Sequence, residues 1–408
     1  MNILLINHYA GSVRHGMEFR PFYLAREWVR SGHKVHILAA SYSHIRAEQP
    51  SITDGVLDEN IEGIDYHWYP TPAYGKNGLW RAKNMLSFIW SLWRDALGIS
   101  QEFKPDLVIA SSTYPMDIWP ARRIAQFANA KLVYEVHDLW PLSPMELGSM
   151  SRWHPFIIWV QTAEDYAYRY ADKVVSMLPK AKEYMQSRGM LNEKFVYVPN
   201  GIDVDEWFKP DPLPREVQIK LDALRANGLP LVGYAGTYGL ANALDTLLEA
   251  GHYLKGLVQI VLLGTGPERD KLLSRVEKEG LTNVTILPSV PKRSIPNFLK
   301  AIDIAYIGLL PQPLFRFGIS PNKLMDYMMA GKPILMSIEA GNDPVTEAEC
   351  GITVLPGDPI AVAKAVRSLI ALSPEALAEM GASGKRFILK NQTYKILAQQ
   401  FLGLINDD

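Results

Sequence analysis

The chain has 408 residues, 48% of them hydrophobic and 21% charged, with a formal net charge of -1. That length allows two or three domains with a core each, while the near-balanced charge excludes a uniformly basic nucleic-acid binder, so any anionic partner must be met locally. A single cysteine, Cys350, excludes an internal disulfide framework and a multi-cysteine metal site and suits a reducing cytoplasm.

The opening MNILLINHY lacks the basic region and small-residue cleavage site of a signal peptide and reads as a strand. No apolar run reaches the roughly 20 residues that a membrane span needs. The expectation is a cytosolic protein that can still touch a membrane surface. Short apolar runs then alternate with amphipathic stretches, the pattern of a parallel sheet wrapped by helices. In the first half the strands are expected at 2–7, 34–40, 106–111, 131–136 and 173–177, and the series restarts at 231–236, 257–264, 283–287, 303–308, 332–337 and 351–355. Two such series predict an α/β protein of two doubly wound domains, with a boundary near the polar, proline-rich 200–216.

Along the chain, the loop after the first strand carries Gly11 and Gly16 but no GxGxxG, so a dinucleotide fingerprint is not supported. It can bring backbone amides, Glu18 and Arg20 to a strand end, or simply be a solvated loop. Residues 79–97, LWRAKNMLSFIWSLWRDAL, place Leu79, Ala82, Leu86, Ile89, Trp93 and Ala96 at helical spacing, with Arg81, Lys83 and Arg94 alongside. Such a helix either packs on the sheet or lies in a membrane interface with its cations among anionic head groups; RWHPFIIWV at 152–160 is a second aromatic and basic patch. His137 and Asp138 follow the fifth strand, where side chains at a carboxyl end can meet a ligand. A packed histidine is the plainer alternative. Asp203-Val204-Asp205 spells a DxD string inside the linker; without a further acidic or histidine cluster it reads as a turn, not a metal site.

In the second series, VGYAGTYG and LLGTGPERD run into glycine-rich turns at Gly236-Thr237 and at Gly264 and Gly266, which permit close backbone approach to a ligand or any tight turn. The stretch FRFGISPNKLMDYMMAGKP, 315–333, predicts a short helix with Ser320 as N-cap and Pro321 at its first position. Gly331 and Pro333 stop it. One face, with Leu324, Met325, Met328 and Met329, should enter a core. Its N-terminus, reached through Gly318 and Ile319 with Arg316 and Lys323 nearby, could hold an anion. Two more helices follow Ser373 with no further strand.

VPNGID (198–203), GYAGTYGLANALDTLLEA (233–250), GTGPERDKL (264–272), GISPNKLMDYMMAGKPI (318–334) and ECGITV (349–354) together resemble, in order and spacing, the retaining GT-B glycosyltransferases of family four. The SPNKL and YAGTxG forms are similar to the WbuB-type transferases of O-antigen and capsule assembly. The resemblance implies two Rossmann-like domains facing across a cleft: an acceptor domain over 1–199, joined by a C-terminal helix at about 390–408, and a nucleotide-sugar donor domain over 200–389. It puts His137 near the donor sugar, Gly11 and Gly16 in the loop facing the diphosphate, and Asp326 where the second glutamate of the E-x7-E pattern accepts from ribose hydroxyls. Two departures stand out. Gly318 replaces the first glutamate, and Thr237 and Asn242 replace the arginine and lysine that usually meet the diphosphate. That charge falls instead to Arg316, Lys323 and the helix after Gly318.

The combined expectation is a metal-independent glycosyltransferase without a cofactor, passing a sugar from UDP to a lipid-linked or saccharide acceptor at the inner face of the bacterial cytoplasmic membrane, with no nucleic-acid partner. Its catalytic candidates are His137, Asp138 and Glu18; the donor-binding candidates are Gly11, Gly16, Gly236, Thr237, Gly264, Gly266, Arg316, Gly318, Ile319, Ser320, Asn322, Lys323 and Asp326. A nucleotide-sugar epimerase on the same architecture and a non-catalytic nucleotide-sugar-binding subunit remain open.

Overall fold

A computed structural model describes residues 1–52, 54–75 and 78–403. The chain divides into two compact units, one of Met1–Pro199 with the stretch from Tyr394 onward, the other of Asn200–Thr393.

The first unit holds β1 (Asn2–Ile6), β2 (Lys34–Ala40), β3 (Leu57–Ile61), β4 (Ile64–Tyr69), β5 (Leu107–Ala110), β6 (Lys131–Val136), β7 (Lys173–Ser176) and β8 (Phe195–Tyr197) in the order β3-β4-β2-β1-β5-β6-β7-β8. All neighbours are parallel except β3 and β4. Three of these strands were not expected from sequence. β3, LDENI, alternates half-buried and exposed residues at one sheet edge and lacks the continuous apolar run of a strand covered on both faces; β8, FVY, is apolar but only three residues long and half-buried at the other edge. β4 is buried, but through tyrosine, histidine and tryptophan instead of aliphatic residues.

Helix α1 (Arg20–Arg30) buries Phe22, Leu24 and Trp28 against this sheet. Helix α2 (Gly78–Phe103) outruns the expected 79–97 and buries Met85, Phe88, Ile89, Leu92, Ala96, Ile99 and Phe103. Leu79, Leu86 and Trp93 are exposed, together with Trp90 and Leu97. The expected apolar face therefore mixed two: an inward one at 85, 88, 89, 92 and 96, and an outward aromatic stripe. Helix α3 (Ile118–Ala128) packs beside α2. The helix Tyr394–Gly403 belongs to this unit as well, stacking Tyr394 on Tyr23 with ring centroids 4.8 Å apart and receiving a 3.0 Å hydrogen bond from Trp28 Nε1 at Ala398 O.

The second unit contains β9 (Leu231–Thr237), β10 (Gln259–Thr265), β11 (Val284–Leu287), β12 (Ile304–Gly308), β13 (Ile334–Ser337) and β14 (Gly351–Val354), all parallel, in the order β11-β10-β9-β12-β13-β14. Alternate residues feed two cores. Leu231, Val261, Leu263, Ile307 and Met336 enter one; Val232, Ile260, Leu262, Ile304 and Leu335 enter the other. A sheet buried on both faces needs such apolar runs, which is why these strands are plain in the sequence. The helix Asn322–Met329 sends Leu324, Met325, Met328 and Met329 into the first of these cores, at about 1.5–3 kcal/mol for each fully buried side chain. Gly331, at φ +65°, then takes the left-handed conformation just past its end.

Candidate functional site

In parallel α/β sheets, functional groups gather at the carboxyl ends of the strands. In the second unit, β9 and β10 run in register so that Gly236 faces Gly264 and Thr237 faces Thr265. A Cβ on Gly264 would lie 1.9 Å from Gly236 O, and one on Gly266 would lie 2.5 Å from Tyr238 O. These two positions are glycine because the two strand ends close on each other.

Onto this rim the helix Asn322–Met329 delivers Lys323. Its Nζ donates to Tyr234 Oη at 2.9 Å and to Asn242 Oδ1 at 2.5 Å, and lies 4.6 Å from the Tyr234 ring centroid. Tyr234 Oη and Asn242 Nδ2 both donate to Thr237 O, at 2.8 and 3.1 Å. Lysine, tyrosine, asparagine and the end of β9 thus form one closed network. Gly236 makes room for it, since a Cβ there would stand 3.3 Å from Lys323 Nζ and 3.1 Å from Tyr234 Oη. Burial pushes the ammonium down to about 8, so it is largely charged at neutral pH and readily responsive to an anion. An ammonium has three donors, and the two named bonds leave one for a ligand. Asn242 therefore holds a cation that arrives from another segment.

Ser320 is not the N-cap. The helix begins at Asn322 with Pro321 before it, because the Ser320 hydroxyl accepts from Asn200 N at 2.9 Å while Asn200 Nδ2 donates to Ser320 O at 2.8 Å. On the other side Asn342 brackets Ile319, accepting from its N–H at 2.7 Å and donating to its carbonyl at 3.1 Å. The Ile319 amide is thus engaged within the protein. These two asparagines fix the approach to the helix, Gly318 supplying the φ of +105° that precedes it. Asn322 is exposed in the first turn. Arg316 is exposed and turned back on its own loop, with Nη1 on Pro313 O at 2.6 Å and its guanidinium 4.3 Å from the Phe317 ring centroid. The half-buried Asp326 is pushed up to about 7 by desolvation, against the opposing influence of Lys292 and of a hydrogen bond with the Trp207 side chain.

In the first unit, His137 stands just beyond β6 with Nε2 3.0 Å from Ser111 Oγ and 3.3 Å from Glu135 Oε2. Ser111 Oγ donates to the same carboxylate oxygen at 2.6 Å. Burial works against the imidazolium, but the Glu135 charge and hydrogen bond, helped by Glu18, outweigh it and raise the His137 pKa. Arg20 is not a ligand-facing loop residue. It is 1% exposed, pairs with Glu135 at 2.9 Å, and donates to Val198 O and Pro199 O at 2.9 and 2.5 Å. Burial opposes the charge on Glu135, yet Arg20 and His137 hold its carboxyl well below the usual range. Asp138 exposes its side chain and Glu18 is half-buried. Gly11 and Gly16 shape their loop: Gly11 N–H donates to Glu18 O, Gly11 O accepts from Tyr66 Oη, and Gly16 N–H donates to Ser12 O. Both amides are engaged internally, so neither presents a free donor to a diphosphate. Asp203 Oδ1 accepts from Asp205 N at 3.2 Å, the local geometry of a turn.

Sequence reasoning missed Tyr234, Asn200, Asn342, Glu135 and Ser111. Tyr234 and Asn200 were visible within quoted motifs, whereas Asn342, Glu135 and Ser111 gain their roles from partners distant in sequence.

Among the described residues no helix is long and apolar enough to cross a membrane. Residues 15–201 match the family model of a glycosyl transferase 4-like domain, and residues 229–371 that of glycosyl transferases group 1. No curated protein matches the sequence. The structure is similar to sucrose-phosphate synthase from Thermosynechococcus elongatus, with a TM-score of 0.72 at 17% identity over 99% of this chain and 98% of that one. It is also similar to Anabaena HepE in complex with UDP, with a TM-score of 0.70 at 16% identity over 100% of both chains. A third likeness is to WaaG, described as a glycosyltransferase involved in lipopolysaccharide biosynthesis, with a TM-score of 0.66 at 15% identity over 100% of both chains.

Proposed function

Because the chain belongs to the group 1, family-four glycosyltransferases of the GT-B fold and transfers a sugar from a nucleotide-sugar donor, we propose that it is a retaining, metal-independent enzyme of the WbuB type. In this reading it moves a hexosyl or N-acetylhexosaminyl group, an N-acetylated amino or deoxy sugar, from UDP to a lipid-diphosphate-linked saccharide in surface polysaccharide assembly. The acceptor domain is the first unit with the helix Tyr394–Gly403, the donor domain is the second unit, and the work is done at the inner face of the cytoplasmic membrane. Anabaena HepE is described in complex with UDP and with UDP-glucose, which supports a uridine nucleotide here.

The observation that carries the reading is Lys323, held by Tyr234 and Asn242 at the end of β9 beside Gly236. As the bond from the sugar C1 to the diphosphate breaks, its electron pair goes to the leaving oxygen, and a preorganised ammonium stabilises that charge. The helix N-terminus at Asn322 adds a positive potential. The acceptor oxygen bonds to C1 on the face the diphosphate leaves, and its proton passes to a phosphate oxygen. We assign the donor sugar to His137, with Asp138 and Glu18 as its companions, the imidazole being held in place by Ser111 and Glu135. Asp326 receives the ribose hydroxyls, and the turns at Gly236-Thr237, Gly264 and Gly266 line the nucleotide.

UDP titrated against the parent, Lys323→Ala and Arg316→Ala is the direct test. Loss of one charge-assisted contact is worth about 1.5–3 kcal/mol, so Lys323→Ala should bind UDP roughly 10- to 100-fold more weakly. The exposed Arg316 should contribute less. Equal affinity in parent and Lys323→Ala would remove the lysine from the site. Turnover with a donor panel and acceptor lipids, read by mass spectrometry, should persist in chelator; activity that vanishes and returns only with magnesium would overturn the mechanism.

A further inference from the structure

We propose that Arg81, with the ring of Tyr9, His44 and Tyr74 around it, forms the subsite in the first unit that receives the phosphate of a lipid-diphosphate acceptor. The inference rests on the reading that the acceptor is such a lipid.

Four segments converge at the carboxyl ends of β1, β2 and β4 and at the first turn of α2. The half-buried Arg81 donates through Nε and Nη2 to Tyr9 Oη at 3.3 and 3.2 Å, with its guanidinium 5.7 Å from the Tyr9 ring centroid. Those are long bonds to a neutral acceptor. Among the described residues no carboxylate lies within ion-pair distance of Arg81. His44 meets Tyr9 edge-on at 6.0 Å between centroids, and its Nδ1 lies 2.7 Å from Tyr74 Oη.

A second guanidinium deepens the imbalance. Arg46, 4% exposed, rests 4.8 Å from the Trp68 ring centroid and donates only to neutral acceptors, Ala40 O and His8 O through Nη2 and Ser41 O and Gln49 Oε1 through Nη1. Its Nε has no hydrogen-bond partner among the described residues. His8, fully buried beside Arg46, is held toward the neutral form, down to about 3, first by burial and then by Arg46, with Arg81 and His44 adding to it against a hydrogen bond with Asn84. Two guanidiniums with no carboxylate in an ion pair among the described residues create positive potential at these strand ends, and an arginine fork matches phosphate oxygens in geometry as well as charge. Leu79, 87% exposed, and Trp80, 51% exposed, precede Arg81 and begin the outward apolar stripe of α2. A phosphate carried on a hydrocarbon chain fits that juxtaposition better than a free phosphate, which has no use for exposed leucine and tryptophan.

The test is a titration of the full-length protein with farnesyl diphosphate, farnesol and inorganic pyrophosphate in detergent, repeated with Arg81→Ala and Arg81→Lys. The parent should bind farnesyl diphosphate at least tenfold more tightly than either farnesol or pyrophosphate. Arg81→Ala should lose about tenfold for the diphosphate and nothing for farnesol, and Arg81→Lys should recover part of the loss. An unchanged diphosphate affinity in Arg81→Ala would overturn the assignment, as would equal losses for diphosphate and alcohol. Should Arg81→Ala fold poorly, the Arg81→Lys comparison decides alone: full parental affinity would reject the fork. Vesicles containing phosphatidylglycerol form a further arm, and a parallel loss there would make Arg81 a general surface cation and reject the subsite. UDP binding is scored separately. A parent that binds UDP without preferring farnesyl diphosphate sinks the subsite alone, whereas the reverse result sinks the donor reading.

Discussion

Arg20 and Glu135 meet where each is 1% exposed. A buried ion pair of this kind adds little over a well-packed apolar pair, but removing one partner strands the other charge at about 3–5 kcal/mol. Glu135 also accepts from Ser111 and holds the charge on His137, so the strand end carrying the histidine depends on it. Glu135→Gln should therefore destabilise the first unit by roughly that amount in urea unfolding and lower the His137 pKa, read by the histidine proton shift in NMR. A loss under about 1 kcal/mol would show that Arg20 finds other partners. Because the folded carboxyl titrates below its ordinary range, the contribution is intact at neutral pH and fades only in acid, below the unfolded value of about 4.3. Lys323 behaves oppositely. Its charged form, favoured by a bound diphosphate, dominates below about 8 and is lost above it. UDP affinity in the parent should fall as pH rises through that value, and the fall should be absent from Lys323→Ala; a flat profile in the parent would place the diphosphate elsewhere.

The helix Tyr394–Gly403 completes a core in the first unit although it lies at the opposite end of the chain from β1. Phe401 is fully buried against Trp28, with ring centroids 5.3 Å apart, and Leu397 is fully buried beside them. Deleting a buried aromatic ring costs about 3–5 kcal/mol through lost transfer and a residual cavity. Phe401→Ala should lower stability by that much in denaturant unfolding, whereas Gln400→Ala, which removes one exposed hydrogen bond to Tyr197 O, should change it by less than about 1 kcal/mol. Equal effects would mean the helix is held by its surface. Among elements, β1, β2 and the inner strands β9, β10, β12 and β13 were legible because each is an apolar run buried on both faces, whereas the partly buried edges β11 and β14 were legible from apolar composition alone. β3 lies at an edge and alternates, so the signal is absent from its composition, and β8, at the other edge, is apolar but only three residues long. The start of the helix after Ser320 was misjudged for a different reason. Its serine is a good cap by type, but Asn200, far away in sequence, takes the hydroxyl first.

At the scale of the whole chain, charge is nearly balanced, with 42 basic and 43 acidic residues, so surface recognition depends on where side chains lie. The Lys323, Tyr234 and Asn242 network illustrates the limit of reading a sequence: its members lie on three segments, and only the fold brings the lysine beside Tyr234 and Asn242. The outward stripe of α2 shows the same limit, since periodicity alone could not separate its buried from its exposed apolar residues. Trp80, Leu86, Trp90, Trp93 and Leu97 face solvent, with Lys83 4.9 Å from the Trp80 ring and Arg123 of α3 4.7 Å from that of Trp93. Exposed tryptophans paired with cations suit the boundary between lipid head groups and acyl chains, where the ring is half solvated and each cation near an anionic surface gains about 1 kcal/mol. The occupant we infer is an anionic bilayer, because Lys83 of α2 and Arg123 of α3 stand beside two of the exposed tryptophans. Co-sedimentation with phosphatidylglycerol vesicles should succeed at low salt, and the double substitution Trp80→Ser and Trp90→Ser should reduce it at least tenfold without altering the melting temperature. Raising salt to about 0.5 M shortens the screening length to a few ångströms, so the cationic share should disappear while part of the aromatic share remains. Failure to bind at low salt would end the membrane proposal, and binding abolished by salt but indifferent to both tryptophans would assign the contact to charge alone and leave the stripe for a protein partner.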